Sequence, residues 1–335
     1  MKGYSFDEGF FRDEEIDGFL VTEAMKRYWA ASLHSLEIFD EVCTRHGLKW
    51  WADWGTLLGA RRNAGFIPWD DDLDVSMLRE DYDRFLEIAA DELPKEYTVA
   101  TFDSRTFKYG GFSVVLNHEG VSFDERVLDE YYQCPFQVGF DLYPYDYYPR
   151  DEEARKNWRI DGIRYLIAME HIRSKGANSP EAKKAIADIG GEALALAAKC
   201  DHYELLEEFG KRVERIAGRF KSEDADKLMT YSYFIRDNNQ RYMDKEWVSQ
   251  IVETDFMTGS IPVPKYADEI LSVYYGKEFM VPKQVSGAHS YPLYSRDIRE
   301  MVRFLEDGGM KLTQLPPVLS YIIKEADIRG IPYKA

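Results

Sequence analysis

The sequence predicts an α+β fold: a mixed core of strands and helices that carries a helical addition. Three observations support this. An amphipathic helix opens the pattern over 20–46, with Met25, Trp29, Leu33, Leu36, Phe39 and Val42 at spacings of three and four. Short strand-like segments then mix with helical ones up to about residue 150. From about 151 to 245 the periodicity turns helical. That uneven order fits an α/β or α+β core and does not fit a barrel of even βα repeats.

The elements follow in order. Gly47 is a natural stop for the first helix. "LKWWADW" is short, apolar and aromatic, which suits a strand. Gly55-Thr56 turns the chain, and "LLGARRN" has helical character. "LDVSM" reads as a strand, and "REDYDRFLEIAADEL" as a helix ended by Pro94. "EYTVATF", "GGFSVVLN" and "QVGFDLYPYDYYP" read as strands. In the helical stretch, "GEALALAAKC" and "YELLEEFGKRVERIAGRF" have helical spacing, and "SKGANSPEA" reads as a loop. "GSIPVPKYADEILSVYYGKEFMVP" is a Pro-bounded extended piece followed by a short helix. Internal repeats and low-complexity tracts are absent.

Composition narrows the function. The 335 residues are 45% apolar and include 23 Tyr, 19 Phe and 7 Trp, so a sizeable core is expected and disorder is not. The formal net charge of −17 argues against non-specific nucleic-acid binding and against a broad grip on anionic lipid. Cys43, Cys134 and Cys200 are far apart and odd in number, which suits ordinary thiols of a reducing compartment. "MKGYSFDEGFFRDEEIDGFL" does not read as a signal peptide, and no apolar run is long enough for a membrane span. A cytoplasmic location is the expectation.

The chemistry concentrates in "GTLLGARRNAGFIPWDDDLDVSM", Gly55 to Met77. Asp70, Asp71, Asp72 and Asp74 would repel one another if bare. In an extended chain Asp70, Asp72 and Asp74 share one face, and Asp71 points away. Three carboxylates on one face suit a hard divalent cation, Mg²⁺ or Mn²⁺, which takes oxygen ligands together with substrate phosphates. The competing reading is a solvated acidic loop. Apolar Phe66, Ile67, Trp69, Leu73 and Val75 argue against it by anchoring the segment in the core. The Gly55-Thr56 turn offers backbone N–H groups to phosphate. Arg61 and Arg62 have planar forks suited to phosphate oxygens or, alternatively, to salt bridges. Asp141 lies between apolar residues in an expected strand, where an unpaired carboxylate is expensive, so a metal or catalytic role is expected. Asp146, near Pro149, is expected in a turn.

"WADWGTLLGARRNAGFIPWDDDLDVSM" resembles the signature of the LicD family, which also includes the fukutin-related proteins. The resemblance continues through "REDYDRFLE", "VGFDLYPYD" and "IPVPKYADEILSVYYGKEFMVPK", with His289 shortly after. It implies a nucleotidyltransferase-like fold: a mixed β-sheet core flanked by helices. In that pattern Gly55-Thr56 match the glycine turn, Asp72 and Asp74 the carboxylate pair, and Asp141 the third carboxylate from another strand. Residues 1–150 are then the catalytic core with its N-terminal helix. Residues 151–245 are a mostly helical region, and 246–335 a C-terminal segment completing the catalytic domain.

The resemblance further implies a phosphotransferase that moves a phosphorylated alcohol, phosphocholine first, from a CDP-linked donor to a sugar hydroxyl. The acceptor is a glycan precursor, lipid-linked or soluble. Asp70, Asp72, Asp74 and Asp141 are the expected metal ligands. Asp72, Asp74 and Asp141 are the expected catalytic groups, and Gly55, Thr56, Arg61, Arg62 and His289 the expected donor-binding residues. Tyr143, Tyr145, Tyr147 and Tyr148 could face a quaternary ammonium or simply pack a sheet. His289 also reads as a plain loop residue, and His34 and His46 as structural. Two rival classes share the same carboxylates: a metal-dependent phosphodiesterase and a non-catalytic nucleotide-binding relative.

Overall fold

A computed structural model describes residues 3–101, 112–231, 241–284, 292, 294–309 and 311–333. A small hairpin, β1 (Glu14–Ile16) and β2 (Phe19–Val21), leads into helix α1 (Glu23–His46). Thr22 starts α1 by accepting a hydrogen bond from the Met25 amide, and Gly47 ends it at a left-handed φ of 67°. The apolar stripe of α1 is buried. Phe39 sits among Trp50, Phe85 and Phe140, with ring centroids 5.6, 4.9 and 5.0 Å away. Burying one such side chain contributes about 1.5–3 kcal/mol.

The α+β class read from the sequence is the class observed. Among the described residues the central sheet has seven strands. Its main path runs β3 (Trp51–Ala52), β4 (Asp74–Leu78), β7 (Gly139–Pro149), β6 (Ser113–Leu116) and β5 (Thr98–Ala100). Between these strands lie α2 (Trp54–Asn63), α3 (Arg79–Glu92) and α4 (Glu125–Glu130). The β4–β7 pairing is parallel, and the other pairings in the sheet are antiparallel. A parallel pair needs a long crossover, which the α3–β5–β6–α4 segment supplies.

Strand β3 is shorter than "LKWWADW" suggests, because Asp53 leaves the strand to cap α2. Strand β7 is longer than an ordinary strand. Its first half pairs with β4 and β6, and its second half pairs with β8 (Ala225–Met229), which pairs in turn with β9 (Met243–Asp244). Asp146 is therefore not in a turn. It lies within β7 opposite Met229, fully buried. The reason is a countercharge: Arg79 Nε and Nη2 donate to its two oxygens at 2.7 and 3.1 Å.

The helical addition comprises α5 (Glu152–Lys175), α6 (Pro180–Ile189), α7 (Gly191–Ala197) and α8 (His202–Ala217). It has its own apolar centre, in which Trp158, Ile172, Phe209 and Val213 are buried. The helices end at Ala217, and the chain then returns to the sheet through β8. The C-terminal portion holds the hairpin β10 (Ile251–Phe256) and β11 (Gly259–Pro264), then α9 (Ala267–Tyr275), α10 (Tyr294–Asp307) and α11 (Ser320–Ile328). Phe256, Ile261, Tyr274, Tyr294 and Ile322 join the same core as α1 and the sheet. Cys43 and Cys134 are buried free thiols, and Cys200 is half-buried and free. No helix among the described residues is long and apolar enough to cross a membrane.

Candidate active site

The site is built where β3, α2, β4 and β7 meet. Asp53 organises it. Its backbone N–H donates to the Asp74 carbonyl at 2.9 Å. Its carboxylate accepts from the Trp54 amide at 2.9 Å, the Ser76 hydroxyl at 2.7 Å and the Tyr145 hydroxyl at 2.7 Å. Tyr145 in turn bonds Tyr274 of α9. One buried side chain thus ties the start of α2 to β4, β7 and α9. Burial pushes its carboxyl up to about 6, against the hydrogen bonds that favour the ionised form.

Trp54, the first residue of α2, has a φ of 45°. For a bulky side chain this is strained backbone, which costs on the order of 1–2 kcal/mol. The ring is held by stacking on Tyr274, centroids 4.2 Å apart at 13°. The turn lets the Gly55 N–H reach Asp74 Oδ2 at 3.3 Å. Gly55 has a second reason to be glycine. A Cβ there would lie 2.5 Å from Asp70 Oδ2 and 3.6 Å from Asp74 Oδ2. The missing side chain is what lets two carboxylates approach the backbone. Thr56 does not present a bare hydroxyl. Its Oγ1 accepts from the Asp74 amide at 2.8 Å and so locks α2 to the first residue of β4.

Asp74 and Asp141 are register partners on the parallel strands β4 and β7, so their side chains leave the sheet on the same face. The Asp141 amide donates to the Leu73 carbonyl at 2.8 Å. Upstream, the Asp70 amide donates to the Ile67 carbonyl at 2.9 Å and closes a turn through Pro68 and Trp69. Trp29 Nε1 of α1 pins that turn by donating to the Asp70 carbonyl at 2.9 Å.

Because the chain leaves a turn at Asp70, strict alternation fails there. Carboxylate oxygens of Asp70, Asp71 and Asp72 lie within 4.8 Å of one another. Asp71 was expected to point away. It is buried, and its charge falls on the Tyr28 hydroxyl of α1 as well as on Asp70.

The carboxylates disturb one another. Burial, then Asp72, pushes Asp70 well above the usual carboxylate range. Burial, then Asp72, Asp141, Asp70 and Asp53, does the same to Asp74. Burial, then Asp72, does so to Asp141. Asp72 is therefore the charge common to the loop aspartates and the strand pair. These groups are all oxygen donors, crowded and mutually repelling. That donor set fits a hard divalent cation such as Mg²⁺ or Mn²⁺.

The surroundings sort the remaining candidates. Arg61 makes a two-pronged ion pair with Asp268 of α9, at 2.8 and 3.0 Å, near the surface. Arg62 lies over Trp69, 6.0 Å from the ring centre, and burial holds its guanidinium below the usual range against the charges of Asp17 and Asp70. Of the four tyrosines of β7, Tyr143 meets the site: its hydroxyl lies 3.5 Å from Asp141 Oδ2 and its ring 5.8 Å from Trp54. Tyr147 bonds Glu80, and Tyr148 packs on Arg155 and Tyr242. His34 bridges Glu37 and Glu130, and His46 pairs with Glu92. His289 falls outside the described residues.

Two residues that the sequence reading did not single out belong to this environment. Asp53 carried a usable signal, since an aspartate directly before a helix is a strong N-cap. Tyr275 carried none. Its hydroxyl feels Asp74, Asp70, Asp53 and Asp72 because α9 folds back over α2.

With this geometry in view, known proteins are informative. Residues 47–152 match the family model described as LicD/FKTN/FKRP, nucleotidyltransferase domain. That span contains Asp53, Gly55, the aspartate cluster and Asp141. The chain is 25% identical over 254 residues to the lipopolysaccharide cholinephosphotransferase LicD of Haemophilus influenzae, covering 75% of this chain and 90% of that protein. It is also 33% identical over 133 residues to an uncharacterised protein of Rickettsia typhi, covering 38% of each. The stretch that holds the carboxylates together thus resembles the nucleotidyltransferase domain of the LicD family, and the similarity to the Haemophilus relative extends over three quarters of the chain.

Proposed function

We propose that this protein is a divalent-cation-dependent phosphotransferase that moves phosphocholine from CDP-choline to a sugar hydroxyl of a cell-surface glycan precursor. The observation that carries the reading is the facing pair Asp74 and Asp141, with Asp72 of the adjoining aspartate cluster acting on both. The name of the Haemophilus relative supplies choline and the glycan.

A bound cation would neutralise charge on the donor's diphosphate, the chemistry on which phosphoryl transfer depends most. Asp72 and Asp74 would hold it, with Asp70 in support. Asp141 stands on the other strand, where its carboxylate can accept the proton of the attacking hydroxyl. The sugar oxygen attacks the phosphocholine phosphorus, the bond from that phosphorus to the CMP oxygen breaks, and a phosphodiester forms. Gly55, lacking a side chain, lets the Asp70 and Asp74 carboxylates draw up to the turn where the donor would bind. Tyr143, Trp54 and Tyr275 offer aromatic faces near the site. Such faces attract quaternary ammonium groups by about 0.5–2 kcal/mol per contact.

The test is a melting-temperature screen of CDP-choline, CDP-ribitol, CDP-glycerol and CDP-ethanolamine, each with and without Mg²⁺. A ligand that binds the folded state alone raises its stability. CDP-choline with Mg²⁺ should give the largest rise, and phosphocholine should then appear on a sugar acceptor. Rapid release of phosphocholine to water in the absence of acceptor would instead mark a phosphodiesterase. No response to any of the four donors would overturn the reading.

A further inference from the structure

The helical addition holds a cavity of about 670 Å³ that the carboxylate chemistry does not use. That is the size of an ordinary small-ligand pocket. Arg164 of α5, Arg212 and Arg215 of α8, and Arg219 just beyond α8 line it. Four guanidinium groups around one hollow are unexpected in a chain of net charge −17. Two are balanced: Arg212 pairs with Glu192 of α7, and Arg219 with Asp161 of α5. Arg164 and Arg215 are exposed and have no acidic partner among the described residues.

The bland account is helix-end electrostatics. Arg215 lies in the last turn of α8, where a cation is favoured. That does not explain Arg164, which comes from the middle of α5. A second, independent feature points to a ligand. Tyr165 also lines the cavity, is only 8% exposed, and its hydroxyl makes no hydrogen bond within the described residues. The Arg212 Nε–H is buried there and likewise lacks an acceptor. The cavity thus has donors and positive charge that the protein itself leaves unused, which is how a protein presents itself to an anion.

We propose that this cavity binds a phosphate group, free or carried on a sugar, held by Arg164, Arg215 and the Tyr165 hydroxyl. Phosphate suits the arrangement because its oxygens accept from several planar forks at once. The location also matters. Glu214 of α8 bonds Arg79 at 2.5 Å, and Arg79 bonds Asp146 on β7, the strand of Asp141. A ligand seated against α8 is therefore two ion pairs, Glu214–Arg79 and Arg79–Asp146, away from the strand that carries the active-site carboxylate.

The experiment is titration calorimetry in EDTA, which removes the cation through which the carboxylate cluster would hold a phosphate. The probes are inorganic phosphate, glucose 1-phosphate and glucose. The proteins are wild type, Asp74→Asn, and the double variant Arg164→Ala/Arg215→Ala. Both arginines are exposed, so the double variant should melt as wild type does. The proposal expects wild type and Asp74→Asn to bind a phosphate probe equally, the double variant to lose at least about ten-fold in affinity, and glucose not to bind. Tighter binding of glucose 1-phosphate than of phosphate would mark a sugar phosphate as the source, and equal binding would mark free phosphate. Absence of phosphate binding at millimolar concentration, or binding that survives in the double variant, would overturn it.

Discussion

Strand β7 carries two acidic residues five positions apart, Asp146 fully buried and Asp141 half-buried, and they are solved in opposite ways. Asp146 is neutralised from within. Arg79 reaches both of its oxygens, a third partner, Glu214, joins from α8, and the Tyr231 amide donates at 3.3 Å. Asp141 faces Asp74 and feels Asp72, so its nearest charges are of its own sign. A carboxylate that the protein neutralises itself is structural. A set of carboxylates that it crowds together would, under the proposed function, be balanced by a bound cation. The two clusters therefore answer differently to the same substitution.

The largest effect is expected at Arg79. Replacing it by Met leaves the buried Asp146 and the half-buried Glu214 without their cation. Breaking a buried pair in this way costs about 3–5 kcal/mol. The loss should appear as a lower urea midpoint and as loosening of the helical addition, which Arg79 and Glu214 tie to the sheet. A stable Arg79→Met protein would show that the network is not what holds the two parts together.

The next effect reverses the relation between activity and stability. Asp74→Asn removes one of several like charges. It should lower kcat by about 10²- to 10³-fold, the scale of losing one electrostatic contact to a transition state. In EDTA it should leave the melting temperature unchanged or raise it. Asp146→Asn should do the opposite, lowering the melting temperature while sparing kcat in the protein that remains folded. Measuring both quantities for both variants separates the clusters. Equal loss of stability in the two variants would mean that the cluster around Asp74 is structural after all.

The contrast also shows what the sequence could reveal. Apolar spacing located α1, α2, α3 and the core strands, because those signals are local. The aspartates of 70–74 were conspicuous because they adjoin one another and sit among apolar residues. Asp146 was misplaced in a turn because its partner, Arg79, lies 67 residues away. Asp71 was assigned to the far face because alternation assumes an extended chain, and the turn closed by Asp70 and Ile67 breaks that assumption. Arg61 read as a phosphate ligand or as half of a salt bridge, and Asp268, with which it pairs, was invisible in the local pattern. Tyr275 reaches the site only through the packing of α9 on α2.

Asp53 offers a pH test of intermediate size. Its carboxyl moves from an ordinary 3.8 to about 6 in the fold. The folded state therefore holds this proton longer than the unfolded chain does. Stability from this group is greatest below about pH 4 and is lost as pH rises through about 6. Two pH units correspond to at most about 3 kcal/mol. In EDTA, the unfolding free energy of Asp53→Asn should gain on that of wild type between those limits and run parallel to it above them. A constant difference across the range would mean that Asp53 is ionised as readily in the fold as outside it.

The smallest effect separates the two arginines of α2. Arg61 and Asp268 form a half-exposed pair, with side chains 40% and 55% accessible, and such pairs contribute about 0–1 kcal/mol. Arg61 is also committed: donating to Asp268 uses its Nε and Nη2 together. Arg62 is placed differently. It lies across Trp69, its Nη1 approaches the Phe279 carbonyl at 3.5 Å, and the charges of Asp17 and Asp70 act on it. A donor diphosphate lying over Asp70 and Asp74 would come within reach of Arg62 before Arg61. Arg62→Ala should therefore weaken donor binding about ten-fold, or roughly 1.4 kcal/mol, while Arg61→Ala should change it less than about two-fold. The measurement is calorimetric titration of CDP-choline with Mg²⁺ into each variant, with melting curves to verify the fold. A larger loss in Arg61→Ala would mean that the Asp268 pair opens when donor binds and that Arg61, not Arg62, meets the phosphate.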